Sequence, residues 1–341
     1  MHESINRIDK IITALSSRQI GKPFFSDQRY HAHNFNKNNF HGILKNDRLK
    51  VCFIDGGNAS IIEAQNFELS FLRTYFCIYE GINKIKFNRE DYYLAVSPNV
   101  ESDMLIYNAE LIPFDQDKIS SMFTFSADDE TLKIGKFDAE ISTIAGIIRR
   151  FIEWKTAEKI AANKMADMIV MDGSLQTGYT GENEYAQSAY SSAVKSNVIF
   201  SGLSKTSSLF TTTGMNLIAV FNRLGPKTPW LYHPIVDIEH SDHFAEMFAV
   251  KLHEHAQTCY RYEIIKNQSN RSDEAISALA FNARDPRYLG YPYGLIDADN
   301  LARITERERL YQKTFFASHV NKLSEAVSAG DAHEIINRIV S

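Results

Sequence analysis

The spacing of hydrophobic and polar positions divides the chain into an early run of strands and a later alternation of helices and strands. Apolar residues at three- and four-residue steps predict helices, at 1–18, 137–165, 183–196, 272–281, 295–316 and from 322 onward. Short apolar or alternating runs predict strands, at 51–54, 60–66, 68–79, 92–96, 104–111, 168–171, 198–200, 217–221, 232–236 and 247–265. The polar segment 24–45, dotted with aromatic residues, is predicted to be a loop. This order is typical of an α/β fold, a mixed sheet flanked by helices.

Two of the predicted strands end on an aspartate that glycine follows at once. They read Val51-Cys-Phe-Ile-Asp55-Gly56-Gly57 and Met168-Ile-Val-Met-Asp172-Gly173-Ser174-Leu175. Glycine permits a sharp turn and lets a charged ligand approach the backbone, although a single Asp-Gly is an ordinary turn signal. If the two strands are neighbours in one sheet, Asp55 and Asp172 project from the same edge. Adjacent carboxylates raise each other's pKa and are stabilised by a divalent metal, so the pattern predicts a metal-dependent site for phosphodiester cleavage.

Composition and charge narrow the class of protein. The 341 residues, 44% hydrophobic and 23% charged, are typical of a soluble globular protein, and no apolar run reaches the roughly 18 residues of a membrane span. The N-terminus carries an early acid, Glu3, which is not typical of a secretory signal. Three cysteines, Cys52, Cys77 and Cys259, lack a metal-binding spacing and indicate a reduced, cytoplasmic protein. A net charge of −5 gives no global attraction to nucleic acid.

The order of the motifs resembles that of the NurA nucleases. The matching pieces are the two Asp-Gly strands, Gly202-Leu-Ser-Lys205 and the late segment Tyr291-Pro-Tyr-Gly-Leu-Ile-Asp-Ala-Asp299. The resemblance spans roughly residues 51–303. It implies an RNase H-like core and DNA cleavage with Mn²⁺ or Mg²⁺. It also implies a homodimer and a HerA-like hexameric ATPase translocase as partner, in DNA repair or antiviral defence.

The same resemblance implies roles for individual residues. Asp55 and Asp172 would be catalytic metal ligands, and so would Glu153, which corresponds to a family glutamate within an Arg-x-x-Glu pattern. Glu158 is the rival, but Ile148 and Ile152 flank the face that Glu153 adjoins. A solvated helix face is the alternative for both glutamates. Lys205 would act in catalysis by contacting a phosphate as a compact charge, with an ordinary surface lysine as the alternative.

The last motif departs from the family pattern. The family has a histidine where this chain has Asp299, with Asp297 two residues earlier. Aspartate can replace histidine as a ligand of Mg²⁺ or Mn²⁺, so Asp299 is predicted to be the fourth ligand. The alternative is that Asp299 caps the following helix.

Further candidates are less specific. Arg150 and Tyr291 are predicted to bind DNA, Tyr291 by stacking on unpaired bases. Solvated arginines and core packing are the alternatives. A histidine-rich stretch that includes His240-Ser-Asp-His243 and the pair His253 and His255 offers a separate metal site, for which no familiar zinc spacing is present.

The predicted organisation has three parts: an N-terminal helical arm and loop at 1–45, the NurA-like nuclease domain at 46–320, and a C-terminal helix at 321–341. Two other functions stay open. A non-catalytic adaptor would keep the fold to dock an ATPase ring. An actin- or sugar-kinase-like ATPase would use Asp55-Gly-Gly-Asn-Ala-Ser60 as a phosphate turn, but it also requires a late Gly-Gly adenosine loop that is not evident.

Overall fold

An eleven-stranded mixed sheet forms the centre of the protein. The structure, a computed structural model, describes residues 2–16, 19–44, 48–64, 66–115, 117, 119–133, 135 and 139–320. The strands are β1 (Pro23–Phe24), β2 (Tyr30–Ala32), β3 (Phe40–Gly42), β4 (Lys50–Ala64), β5 (Phe67–Glu80), β6 (Asn83–Glu101), β7 (Met104–Pro113), β8 (Ser121–Ser126), β9 (Met168–Asp172), β10 (Ile199–Ser204), β11 (Phe210–Thr211), β12 (Trp230–Tyr232), β13 (Val236–Ile238), β14 (Ala245–Lys251) and β15 (Tyr260–Ile265).

Helices lie on both faces of this sheet. They are α1 (His2–Ser16), α2 (Thr143–Ala162), α3 (Glu182–Ser196), α4 (Leu217–Leu224), α5 (Ser272–Asn282), α6 (Tyr293–Ala302) and α7 (Glu306–His319), with short 3₁₀ helices at Lys37–Asn39 and Lys266–Arg271. None of the helices in the described ranges is both long and apolar enough to cross a membrane.

The strand order places three parallel strands in the middle of the sheet. The order is β3-β12-β14-β15-β10-β9-β4-β5-β6-β7-β8, in which β9 pairs in parallel with both β4 and β10 and every other pair is antiparallel. Central parallel strands are covered on both faces, so their sequences are continuously apolar. This is why 168–171 lacks the polar alternation of a half-exposed strand.

Alternate side chains of the central strands enter two different cores. Phe53 and Val170 pack with α5 and α6, whereas Ile54 and Ile169 pack on the opposite face with Trp154 of α2. By the two-residue period of a strand, Asp55 and Asp172 continue the Phe53–Val170 face. The strand register therefore directs both aspartates toward the side on which α6 lies.

The mixed α/β sheet flanked by helices is confirmed, but several local predictions are wrong. The 24–45 segment, predicted to be a loop, contains β2 and β3 and a residue of β1, because short strands pair there with β13, β12 and β11. Predicted strand 60–66 is not separate: β4 runs unbroken to Ala64. The predicted helix at 321–341 lies outside the described residues.

Two predictions fail where local periodicity is ambiguous. The apolar run 217–221 is helix α4 rather than a strand, because the Asn216 side chain accepts a hydrogen bond from Ala219 N (3.0 Å) and caps it. The predicted helix 295–316 is two helices. Thr305 begins the second one with a capping box to Glu308, which turns the chain between α6 and α7.

Candidate active site

Three aspartates meet beside the middle of the sheet. Ile54 of β4 pairs with Met171 of β9 in parallel register, so Asp55 and Asp172 follow side by side. The third, Asp299, comes from the last turn of α6. One carboxylate oxygen from each lies within 4.8 Å of the others. We call these three residues the aspartate cluster. In the described part of the chain it is the one group of three or more acidic, histidine or cysteine side chains with such spacing.

Negative charge is crowded in this cluster. Burial, with the nearby charges of Glu153 and Asp172, raises the pKa of Asp55 to about 8. Burial also raises the pKa of Asp172 above its usual range, although Lys205 opposes this shift. Burial and the repulsion of nearby charges disfavour the ionised form of these carboxylates, and a bound divalent cation would stabilise that form. The all-oxygen donor set of the cluster fits Mg²⁺ or Mn²⁺.

Lys205 bridges two members of the cluster. It follows β10, and its Nζ lies 2.7 Å from Asp172 Oδ2 and 3.1 Å from Asp299 Oδ1. Partial burial alone would lower its pKa, but the contacts with the two carboxylates raise it. The side chain is still 38% exposed. Lys205 is therefore a charged group that contacts the cluster and also faces solvent.

Glu153 approaches the cluster from the opposite face of the sheet. It is 3% exposed on α2 and forms an ion pair with Arg149, whose guanidinium also donates to Gly56 O (3.2 Å). A Cβ on Gly56 would collide with the Glu153 carboxylate. The rival Glu158 instead accepts a hydrogen bond from Ser188 of α3 (2.7 Å). Glu153 is thus the helix glutamate that the structure brings to the site.

The first Asp-Gly is not a turn. Residues 55–60 are extended and pair with β5 in continuous register. Gly56 and Gly57 serve close approach, because a Cβ on Gly57 would collide with the backbone of Ala302 in α6. The second Asp-Gly does turn: β9 ends at Asp172, and Gly173 has φ of 119°. Identical dipeptides therefore serve two different structural purposes, tight packing and chain reversal.

A buried network that the sequence analysis did not find holds the second turn. Glu263 of β15 accepts hydrogen bonds from Ser174 Oγ (3.0 Å) and Leu175 N (2.7 Å). Arg261 donates to Glu263 and also to Ser174 Oγ (3.0 Å). Burial opposes the Glu263 charge, but Arg261 and His243 outweigh it and hold the pKa of Glu263 well below its usual range. Arg261 and Glu263 are about 90 residues away from Ser174 in sequence, and no local signal marks them.

Tyr291 lies next to the aspartate cluster. Its ring centroid is 5.8 Å from Lys205 Nζ. Burial, together with Asp172 and Asp55, raises its pKa well above the usual range. Among the described residues, its buried hydroxyl has no hydrogen-bond partner. The tyrosine is thus a neutral polar group that faces the charges of the site.

Other residues considered from the sequence either lie outside the aspartate cluster or are bound to other side chains. Arg150 donates to Glu182 (3.0 Å) and lies over the Trp154 ring, so its DNA-binding role stays a prediction that its contacts do not support. Asp297 binds Tyr79 and Lys84 outside the cluster. Asp299 is not the cap of the following helix, since Thr305 is.

The histidine-rich stretch does not form a second metal site within the described ranges. His243 contacts Tyr30 through Nδ1 (2.9 Å) and lies 3.1 Å from Glu263. His253 and His255 are in the turn after β14 and not on a strand. Their clustering in sequence therefore reflects separate packing and turn roles.

Comparison with known families and structures agrees with this geometry. The family model of the NurA domain matches residues 49–304. This chain belongs to the NurA family. The crystal structure of the NurA nuclease from Sulfolobus solfataricus is similar over 93% of this chain and 94% of that one, with a TM-score of 0.56 at 14% identity. No curated protein matches the chain.

Two endonuclease V structures are more distant from this NurA domain. The catalytic domain of the human enzyme has a TM-score of 0.40 at 10% identity, covering 92% of this chain and 99% of that one. Endonuclease V from Ciona intestinalis, in complex with a 24mer DNA, has a TM-score of 0.39 at 14% identity, covering 79% and 92%. The predicted RNase H-like fold is confirmed, and family and fold together support a nuclease.

Proposed function

We propose that this NurA domain is a deoxyribonuclease that depends on a divalent metal and hydrolyses phosphodiester bonds. The observation that carries the proposal is the convergence of Asp55, Asp172 and Asp299 within 4.8 Å. Their positions on two parallel strands and a packed helix make this arrangement rigid. Rigid placement is what metal-assisted hydrolysis requires of its ligands.

The aspartate cluster would hold Mn²⁺ or Mg²⁺, with Glu153 supporting it from the other face. When bound, the metal would supply Lewis-acid activation of water and offset charge on the phosphate. Lys205 would contact the phosphate as a point charge. Tyr291, neutral and buried, would offer its hydroxyl to a polar group of the substrate, which would satisfy a group that otherwise lacks a partner among the described residues.

The test uses the purified full-length protein and DNA labelled at either end. We expect cleavage with Mn²⁺ or Mg²⁺, weak cleavage with Ca²⁺ and none in excess EDTA, since carboxylate oxygens select hard ions and Ca²⁺ tolerates looser geometry. Asp172→Asn and Asp299→Asn should lose activity. Asp297→Asn is the matched control, because this aspartate lies on the same helix outside the cluster. Full cleavage in EDTA, or by Asp172→Asn, would rule the proposal out.

Both alternative functions are disfavoured by particular contacts. An adaptor has no need of converging acids, yet three aspartates and Glu153 approach one another here. The phosphate turn of an actin-like ATPase would require residues 55–60 to reverse direction, yet they form continuous strand β4. The cleavage assay with added metal distinguishes a nuclease from an adaptor, because an adaptor would bind an ATPase ring without cutting DNA.

The wider setting is also a proposal. By family resemblance we propose a homodimer that works with a HerA-like hexameric ATPase in DNA repair or antiviral defence, with residues 46–320 as the nuclease domain. A cytoplasmic location accords with Cys52, Cys77 and Cys259, which are buried and unpaired in disulfides.

A further inference from the structure

A cavity of about 360 Å³ is lined in part by residues that follow Asp172 and Lys205 closely in the chain. Its lining includes Phe24, Phe25, Tyr30, Gln176, Ser208 and Phe210. We call these six residues the Phe210 pocket. None of them belongs to the cluster, and the proposed chemistry uses none of them.

Chain connectivity places the Phe210 pocket near the site. Gln176 is four residues after Asp172, and Ser208 is three residues after Lys205. A fully extended chain covers at most about 3.6 Å per residue, so the two Cα separations are below roughly 14 Å and 11 Å. Arg261, which also lines the cavity, bonds to Ser174 in the Asp172 turn. At about 3.4 Å per stacked nucleotide, the pocket is within a few nucleotides of the cluster.

Two pairs of aromatic rings form its apolar walls. Phe24 and Phe210 are direct cross-strand partners in the β1–β11 ribbon and are 51% and 46% exposed. Phe25 stacks on Tyr30 with centroids 5.2 Å apart and planes at 10°. Large aromatic side chains that stay exposed beside a site are costly to solvate and indicate a ligand surface. Because Phe25 and Tyr30 already stack on each other, a planar group would meet the outer face of this stack or the exposed rings of Phe24 and Phe210.

The polar groups of the pocket are balanced in charge. Asp27 is paired with Arg29 (2.6 Å), and Arg261 is paired with Glu263. Within the described part of the chain, the side-chain amide of Gln176 has no hydrogen-bond partner. A glutamine amide can donate to and accept from the edge of a base. The pocket therefore suits an uncharged planar ring with hydrogen-bonding edges, and not a phosphate.

We propose that the Phe210 pocket binds an unpaired nucleobase of the DNA strand that the aspartate cluster cuts. This inference rests on the proposed nuclease function and specifies its substrate, a strand that is single-stranded a few nucleotides from the scissile bond. A duplex base is held in its stack and cannot enter such a cavity without being flipped out. Stacking on Phe24 and Phe210 holds the strand in register over the cluster.

The first experiment measures binding without cleavage. Single-stranded DNA that carries 2-aminopurine at successive positions is added to full-length protein in EDTA. We expect fluorescence quenching in one narrow window of positions. Phe210→Ala and Phe24→Ala should abolish it, and Phe210→Trp should retain it. Phe87→Ala is the matched control, since Phe87 is 63% exposed on β6, away from the pocket. Uniform quenching, or quenching unchanged in Phe210→Ala, would overturn the inference.

The second experiment measures kcat/KM on DNA with one abasic nucleotide at that same position. In wild type and Phe87→Ala, kcat/KM for the abasic substrate should be about 5- to 150-fold lower than for the intact substrate. This range corresponds to the free energy of stacking one base on an aromatic ring. In Phe210→Ala the intact and abasic substrates should be cut equally, because the two changes remove one shared contact. Equal sensitivity in Phe210→Ala and wild type would contradict the proposal.

The outcomes separate this inference from the proposed function. If the wild type cuts no DNA with any metal, the nuclease proposal fails, while the 2-aminopurine result still decides the pocket. If cutting is normal and both pocket readouts are unaffected by Phe210→Ala, the inference alone fails. If Phe210→Ala instead loses only stimulation by an ATPase partner, the pocket holds a protein side chain and not a base.

Discussion

Asp55 illustrates how a functional residue can oppose the stability of its own fold. It is a buried carboxylate facing Glu153 and Asp172, and burial with these charges raises its pKa to about 8. When the pKa of a group is higher in the folded than in the unfolded protein, its contribution to stability is complete at pH values below the unfolded-state pKa. That contribution is lost as the pH rises through the folded-state pKa. For Asp55 the window extends from about 4 to about 8.

Asp55→Asn should therefore abolish cleavage and stabilise the metal-free protein. The expected gain in unfolding free energy above pH 8 is about 1–2 kcal/mol. This gain comes from removal of a buried negative charge that neighbouring carboxylates repel. Denaturant unfolding in EDTA at pH 5 and pH 9 measures it. The wild type should lose more stability between the two values than Asp55→Asn does, with Asp297→Asn as control. Parallel losses in the two proteins would show that Asp55 does not titrate in this window.

Lys205 competes with a metal for the same two carboxylates. Its ammonium is 2.7 Å from Asp172 and 3.1 Å from Asp299. We expect Lys205→Met to lower kcat by roughly 10²–10³, as loss of a charge-stabilising donor does. The variant should also reach half-maximal metal binding at a lower Mn²⁺ concentration, since one competing cation is gone. Lys84→Met is the matched control, because Lys84 pairs with Asp297 outside the cluster. Weaker Mn²⁺ binding in Lys205→Met would contradict this account.

At the scale of elements, the turn after β9 depends on β15. Glu263 holds Ser174 and Leu175 just beyond Asp172, and Arg261 reinforces the same turn. The network does not touch the three carboxylates, so it acts by positioning Asp172. Outer contacts of this kind orient metal ligands and affect affinity as well as activity.

Glu263→Gln should raise the Mn²⁺ concentration needed for half-maximal cleavage by about 10–100-fold, with KM for DNA little changed. Ser174→Ala should show a smaller shift in the same direction, because it removes the hydrogen bonds of a neutral hydroxyl and not a buried charge. Glu158→Gln, whose carboxylate contacts Ser188 of α3, is the control. Circular dichroism and a metal titration measure the two effects separately. A folded Glu263→Gln variant with an unchanged Mn²⁺ requirement would exclude the positioning role.

At the scale of the whole molecule, the charge distribution limits DNA affinity. The net charge is −5, and the cations at or beside the cluster, Lys205, Arg303 and Arg149, are each paired with acids. Few phosphate contacts mean weak binding that salt reduces further. A translocase that threads DNA into the site would raise the local strand concentration and fix its position.

We expect the isolated protein to be a weak nuclease at about 150 mM salt, a physiological ionic strength, and a HerA-like ATPase to increase cleavage at least tenfold. The comparison is a time course with and without the ATPase and ATP, with Asp172→Asn as a control for cleavage by the ATPase preparation. Rapid cutting by the protein alone, unchanged by the partner, would show that affinity is not limiting.

Local sequence was sufficient for the elements that form through short-range patterns. The apolar runs ending in Asp55 and Asp172 predicted two buried strands, and the helical spacing of Ile148 and Ile152 predicted α2 with Glu153 near the inward face. These features follow from the hydrophobic periods of strands (2 residues) and helices (3.6 residues), and both periods can be recognised within a short stretch of sequence. The run 217–221 is too short to distinguish the helical period from the strand period. The capping contact of Asn216 is what makes this segment a helix.

The sequence by itself therefore determined the mixed α/β character, the central strands and the two aspartates that they carry. Only the tertiary structure decided that Asp299 joins them, that Glu263 holds the Asp172 turn, and that Gly56 makes room for Glu153 where a chain reversal was predicted. Each of these depends on packing between elements far apart in the chain. Periodicity records which face of an element is buried, and it contains no information on which distant side chain will meet it there.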